Sequence, residues 1–148
     1  MATPRDIRRL AFQTLFQLDA RGGAVVDAQS IRDSLAGVEG FSEAERQKAF
    51  DLAAGAFERR DEADREMEGL APTWPAHRQA AVDRAILRLA HFEMASGRTH
   101  PKIAVSEAVE LAKDFSTDRS PAFVNGLLDK VLKRVLRERP ELAGEHAP

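Results

Sequence analysis

The chain has 148 residues, no cysteine and a formal net charge of −2. That length suits one core and is short for two, and the missing cysteines exclude disulfides, thiolate nucleophiles and cysteine-held zinc. The near-neutral charge excludes a protein that coats nucleic acid by wholesale counterion release, so any phosphate contact has to be local. No apolar run approaches the ~20 residues of a membrane span, and the start MATPRDIRRLAF has no apolar signal segment, which together predict a cytoplasmic protein without a membrane partner.

Thr3-Pro4-Arg5-Asp6 predicts a helix start: a hydroxyl N-cap, proline at the first helical position and a carboxylate three residues after the cap. This helix turns Ile7, Leu10, Ala11, Leu15 and Leu18 to one face and ends at Gly22-Gly23. A second helix spans about Asp27 to Leu35, with Ile31 and Leu35 inward. Ser42-Glu43-Ala44-Glu45 is a capping box, opening a third helix through Ala49, Phe50, Ala53, Ala56, Phe57, Asp64 and Met67 until Gly69 and Pro72. The aperiodic LAPTWP, from Leu70 to Pro75, is a connection whose Trp74 is expected to plug the edge of the core. A fourth helix, from about His77 or Val82 to Gly97, carries Ala85, Ile86, Leu89, Ala90 and Phe92. Pro101 opens a fifth with Val105, Ala108, Val109, Ala112 and Phe115 inward, and Ser120-Pro121 repeats the cap and proline for a sixth, reaching about Glu138. Nothing alternates with period two for long enough to be a strand, so the fold class is all-α, about six helices in a single domain over 1–140. The remaining residues, 141–148, read as a flexible C-terminal tail.

One stretch of the sixth helix contradicts itself. In FVNGLLDKVL the pair Asn125-Gly126 is a strong hairpin signal, yet Val124, Leu127, Leu128, Val131 and Leu132 fall at helical spacing. The helix is expected to win, with Gly126 a packing notch that admits a neighbouring backbone and Asn125 a buried amide bonded to main chain. Glycine there costs up to ~1 kcal/mol relative to alanine.

The cations divide by position. Lys130, Lys133, Arg134, Arg137 and Arg139 sit late in the last helix, where they complement its dipole. Arg5, Arg8 and Arg9, opposed only by Asp6, sit at the wrong end of their helix for that and need another reason. Arg84 and Arg88 stand one turn apart and repel unless an anion lies across them, either an internal one such as Asp83 or Glu93 or a ligand phosphate. Glu107, Glu110 and Asp114 along the fifth helix, with Lys113 among them, read as a solvated face. Catalysis finds little support. No two of His77, His91, His100 and His146 share a helical turn, the residue three before His91 is Arg88, and no Gly-x-Ser-x-Gly or glycine-rich phosphate loop occurs. No catalytic residue, metal ligand or cofactor is expected.

RDIRRLAFQTLFQLD, VDRAILRLAHFE, PKIAVSEAVELAKDF and FVNGLLDKVL, at these spacings, resemble the NusB family of bacterial transcription antitermination factors, and the resemblance spans nearly the whole chain. It implies two packed three-helix bundles and a non-enzymatic, RNA-binding role. It further implies pairing with NusE, a small ribosomal-subunit protein, binding of the boxA element of nascent RNA, and assembly of a termination-resistant RNA polymerase complex. Members occur as monomers and as homodimers. By the same resemblance the RNA surface comprises Arg5, Arg8 and Arg9, with Gln13 and Phe16 further along the helix, Phe16 suited to stack on an unpaired base. Arg84 and Arg88 extend it, Arg88 being equally open to a structural role. Asp83 carries over as a NusE contact, with Asp118, Arg119 and Phe123 as further candidates, and Asn125-Gly126 becomes part of a helix-packing signature. Three phosphate contacts to single-stranded RNA give a salt slope of about −2, so NusE is expected to supply the remaining affinity. The alternative is a stand-alone version of the NusB-like RNA-binding domain found fused to ribosomal RNA cytosine methyltransferases, serving rRNA processing or ribosome assembly.

Overall fold

In the computed structural model, which describes residues 2–20 and 27–144, local capping chemistry sets the helix starts. α1 (Pro4–Ala20) opens with a reciprocal pair: the Asp6 N–H donates to Thr3 Oγ1 at 3.1 Å and the Thr3 N–H donates to Asp6 Oδ2 at 2.9 Å. Those bonds, the backbone one first, hold the Asp6 carboxyl below its ordinary range. α3 (Glu43–Glu58) starts the same way, with the Glu45 N–H on Ser42 Oγ and the Ser42 N–H on Glu45 Oε1. α2 (Asp27–Ala36) lies between them in sequence, and the Gly22-Gly23 stop predicted for α1 lies outside the described residues.

The predicted third helix is two. α3 ends at Glu58, Arg59 sits at φ −97 and ψ 13, and α4 (Arg60–Leu70) follows. Between Ala56 and Ala63 no residue is fully buried, so no apolar stripe holds the chain to one axis. Arg60 then donates to the Phe57 carbonyl at 2.7 Å while its guanidinium covers the Phe57 ring, 3.9 Å from the centroid. α5 (Ala81–Ser96), α6 (Pro101–Phe115) and α7 (Ser120–Glu138) complete seven α-helices among the described residues, with 3₁₀ turns at Ala76–Arg78 and Pro140–Gly144. No described residue is in a strand.

α1, α2 and α3 pack together, α5, α6 and α7 form a second group, and α5 is the seam, touching α1, α3, α4, α6 and α7. From Ala85 to Met94 every residue of α5 is buried, as a helix enclosed on all sides requires. One tight contact is with α3. A Cβ added at Gly55 would lie 2.3 Å from Phe92 Cζ, so only glycine lets that ring seat.

Gly126, in contrast, meets nothing within 4 Å of a would-be Cβ, and both it and Asn125 are exposed. The expected notch is therefore at Gly55, because the α7 stripe of Val124, Leu127, Leu128 and Val131 turns the asparagine and glycine outward. Trp74 does not plug the core. It is 51% exposed, on a turn closed by its N–H to the Ala71 carbonyl. Phe115, expected inward, is 36% exposed and packs its ring on Phe12 with centroids 5.1 Å apart. Ser120 is the first residue of α7, its hydroxyl directed at Asp83 and not at the helix start. Of the expected tail, 141–144 belong to the second 3₁₀ turn, Leu142 packs on the core, and 145–148 lie outside the described residues.

Candidate nucleic-acid and partner interface

Successive arginines of α1 go to different places. Arg8 turns inward: its Nε donates to both oxygens of Glu93 at 2.9 and 3.1 Å and its Nη2 to Glu93 Oε2 at 3.0 Å. The Thr99 hydroxyl adds a 2.6 Å bond to the same carboxylate, whose side chain is only 2% exposed. Arg5 and Arg9 turn outward toward α6. Arg5 grips Glu107 with two bonds, 2.9 and 3.1 Å, and that carboxylate holds the guanidinium above its ordinary pKa. Arg9 Nη2 lies 2.8 Å from Asp114 Oδ2, and its guanidinium sits 5.6 Å from the Phe115 centroid. The acidic side of α6 is thus a cradle for α1, not a purely solvated face. Gln13 is exposed and Phe16 half-buried, one and two turns beyond Arg9.

The α5 pair finds its anion inside the protein, on residues other than Asp83 and Glu93. Arg84 Nη2 donates to Asp19 Oδ2 at 2.7 Å, and its Nη1 to the Ala76 carbonyl at 3.1 Å. Arg88 clamps Asp64 with bonds of 2.9 and 2.7 Å and reaches Asp19 Oδ1 at 3.0 Å. Burial pushes the Asp19 carboxyl up, but the two arginines outweigh it and hold Asp19 below the usual carboxylate range. Burial likewise lowers Arg88, and Asp64 and Asp19 more than restore it. Arg88 therefore ties α5 to α1 and α4, with its side chain 8% exposed. Further along, His91 Nε2 lies 2.8 Å from Glu66, which Arg134 of α7 also clamps, at 2.5 and 2.7 Å. Arg134 also pairs with Glu138, and Arg139 Nη2 donates to the Met94 carbonyl, so part of the late basic run joins helices.

At the other end of α5 a groove of about 620 Å³ opens between the α4–α5 connection and the start of α7. Trp74, Gln79, Asp83, Arg119, Ser120 and Phe123 line it. Asp83 is itself buried and accepts the Ser116 hydroxyl at 2.6 Å and the Ser120 hydroxyl at 3.0 Å, so it fixes the α6–α7 turn that forms one wall. Three of the four partner residues expected from sequence thus share one groove. The fourth, Asp118, is exposed but does not line it. Trp74 joins this lining although a proline-flanked aromatic reads from sequence as a core plug. Its one distinguishing signal was the lack of any apolar period around it. Among the described residues no group of three or more side chains is placed to hold a metal ion.

A family model described as the NusB family matches residues 5–133, a span that takes in both the α1 arginines and the groove. The chain belongs to the NusB family. Transcription antitermination protein NusB of Symbiobacterium thermophilum is 42% identical over 135 residues, 87% of this chain and 88% of that one. The solved NusB of T. maritima superposes with a TM-score of 0.77 at 29% identity, covering 100% of this chain and 96% of its own. A crystal structure of antitermination factors NusB and NusE in complex with dsRNA shares the fold, with a TM-score of 0.75 and 23% identity over 88% of this chain and 96% of that chain. Within the NusB fold, the α1 arginines and the groove are two separate surfaces, joined through α5.

Proposed function

We propose that this chain is an antitermination adaptor that holds boxA RNA on α1 and a NusE protein in the groove, helping to build a termination-resistant RNA polymerase complex in the cytoplasm. The observation that carries the reading is the groove, where Asp83, Arg119 and Phe123 converge with the exposed Trp74. An aromatic anchor beside a cation and a rigid acidic turn is the composition of a protein-docking surface. Arg5 and Arg9 offer guanidiniums to phosphate, and Gln13 and Phe16 lie further along the same helix for base contacts. Arg8, Arg84 and Arg88 support this surface from within by fixing α1 and α4 on α5. The reading gives the protein no catalytic step. It is favoured over a ribosome-assembly module by the near full-length match to a curated antitermination protein.

Two exposed arginines are too few for strong unaided binding, since each phosphate contact to a single strand contributes only about 0.7 to the salt slope. Titration of boxA RNA into the isolated chain and into its NusE complex, across a range of salt, is the test. Tighter binding by the complex, weakening as salt rises, is expected; equal affinity with and without NusE overturns the adaptor role. Arg119→Glu is expected to weaken NusE binding and leave the melting temperature unchanged.

A further inference from the structure

Arg5 and Arg9 stand one turn apart on α1, and each is already held by a carboxylate of α6. Glu107 and Asp114 are two turns apart on that helix, about 10 Å along its axis, and face the two guanidiniums in turn. The forked bond between Arg5 and Glu107 has the geometry that a guanidinium uses for phosphate. These carboxylates therefore occupy the positions that RNA phosphates would take. The Arg9–Asp114 pair is open to water on both sides, at 44% and 46% exposed, whereas in the other pair Arg5 is 57% exposed but Glu107 only 16%, with Arg8 Nη1 a further 3.9 Å from its carboxylate. The open Arg9–Asp114 pair is weak and exchangeable, and the Arg5 guanidinium can be reached from solvent, unlike the enclosed pair of Arg8 and Glu93.

We propose that the acidic edge of α6 is a built-in competitor of RNA, with Glu107 and Asp114 holding Arg5 and Arg9 until phosphates replace them and so setting the affinity of the α1 surface. The proposal rests on the RNA-binding reading above. An approaching polyanion meets two carboxylates together with two guanidiniums and gains little from charge alone. Tight binding then requires base or partner contacts that deliver phosphate to both arginines together. Neutralising a carboxylate frees its arginine and also removes a repulsive charge, and both effects tighten binding.

The test uses single-stranded boxA RNA and the full chain in complex with NusE. Glu107→Gln and Asp114→Asn are each expected to tighten binding roughly two- to fivefold at low salt. Each is expected to steepen the salt slope by up to about 0.7. Asp129→Asn on α7, whose carboxylate pairs with Lys133 at 3.0 Å, is the remote control and gives a smaller gain. In an Arg9→Ala background the gain from Asp114→Asn shrinks to the part that comes from removing a repulsive charge. Weaker binding, gains no larger than for Asp129→Asn, or a gain undiminished by Arg9→Ala overturns the proposal. A wild-type complex with no affinity for RNA sinks the functional reading and this one with it; wild-type binding with uncoupled variants sinks this one alone. Asp114→Asn, at a well-exposed position, keeps the test available should Glu107→Gln disturb the fold.

Discussion

Arg8 and Arg9 are neighbours in sequence and both are paired with a carboxylate, yet they live in different solvents. Around Arg8 the side chains are 11% and 2% exposed, whereas around Arg9 they are 44% and 46% exposed. Two buried charges are tolerated only because each satisfies the other, and removing one strands its partner. Two exposed charges are hydrated either way, so their bond is replaceable. The packed seam around α5 and the outer surface of α1, α6 and α7 follow this division, with Arg5 and the 16%-exposed Glu107 straddling it, and so do their glycines: Gly55 is pressed against Phe92, and Gly126 faces open space. Residue type and helical position do not distinguish the two regions; enclosure does.

The largest effect is expected at the centre of the seam. Glu93→Ala leaves the Arg8 guanidinium without its acceptor and should lower unfolding free energy by about 3–5 kcal/mol in chemical denaturation. A loss below about 1 kcal/mol would show that water reaches Arg8 and would erase the contrast. Gly55→Ala forces a methyl group into Phe92 and should cost about 1–3 kcal/mol, read as a lower melting temperature. Acid should act on the same seam. The carboxyls of Asp19 and Glu66 are held below their ordinary values in the fold, Glu66 because Arg134 and His91 outweigh its burial. Their contribution is thus complete above about pH 4–5 and is lost as pH falls through that range toward the folded-state values. Asp19→Asn should flatten this part of a plot of melting temperature against pH. Gly126→Ala, on the open surface of α7, should raise stability by about 0.4–1 kcal/mol, opposite in sign to Gly55→Ala. The smallest change in stability belongs to Arg9→Ala, within about 0.5 kcal/mol, accompanied by weaker RNA binding; an equal destabilisation by Arg9→Ala and Arg8→Ala would dissolve the distinction between the regions.

What the sequence revealed follows the range of the interaction. Helix starts at Thr3 and Ser42 were legible because a cap is a bond between residues three positions apart, and the start at Pro101 because proline at the first helical position fixes its own φ. The ion pairs were not, since Arg84 and Asp19 are 65 residues apart, Arg8 and Glu93 85, and Arg9 and Asp114 105. That Arg84 and Arg88 need an anion could be reasoned from their spacing, but which anion could not. Asp64 did stand among the apolar positions of its predicted helix, an acid where a core residue was due, and that is the signature of a buried partner. The small run Ala53-Ala54-Gly55-Ala56 likewise marked the close approach that Asn125-Gly126 only mimicked. The break at Arg59 was hidden because neither glycine nor proline makes it. The groove was half legible: Asp83, Arg119 and Phe123 came from the family resemblance, and their convergence with Trp74 required the α6–α7 turn to be seen.

Trp74 is the chain's one indole, and there is no tyrosine. Its ring stands half in water at the lip of the groove, so its ultraviolet emission is expected to be that of a solvated fluorophore. A protein seated there withdraws it from water and shifts the emission to shorter wavelength. If a NusE protein docks in the groove as proposed, the molecule carries its own optical reporter of that event, with no label to attach.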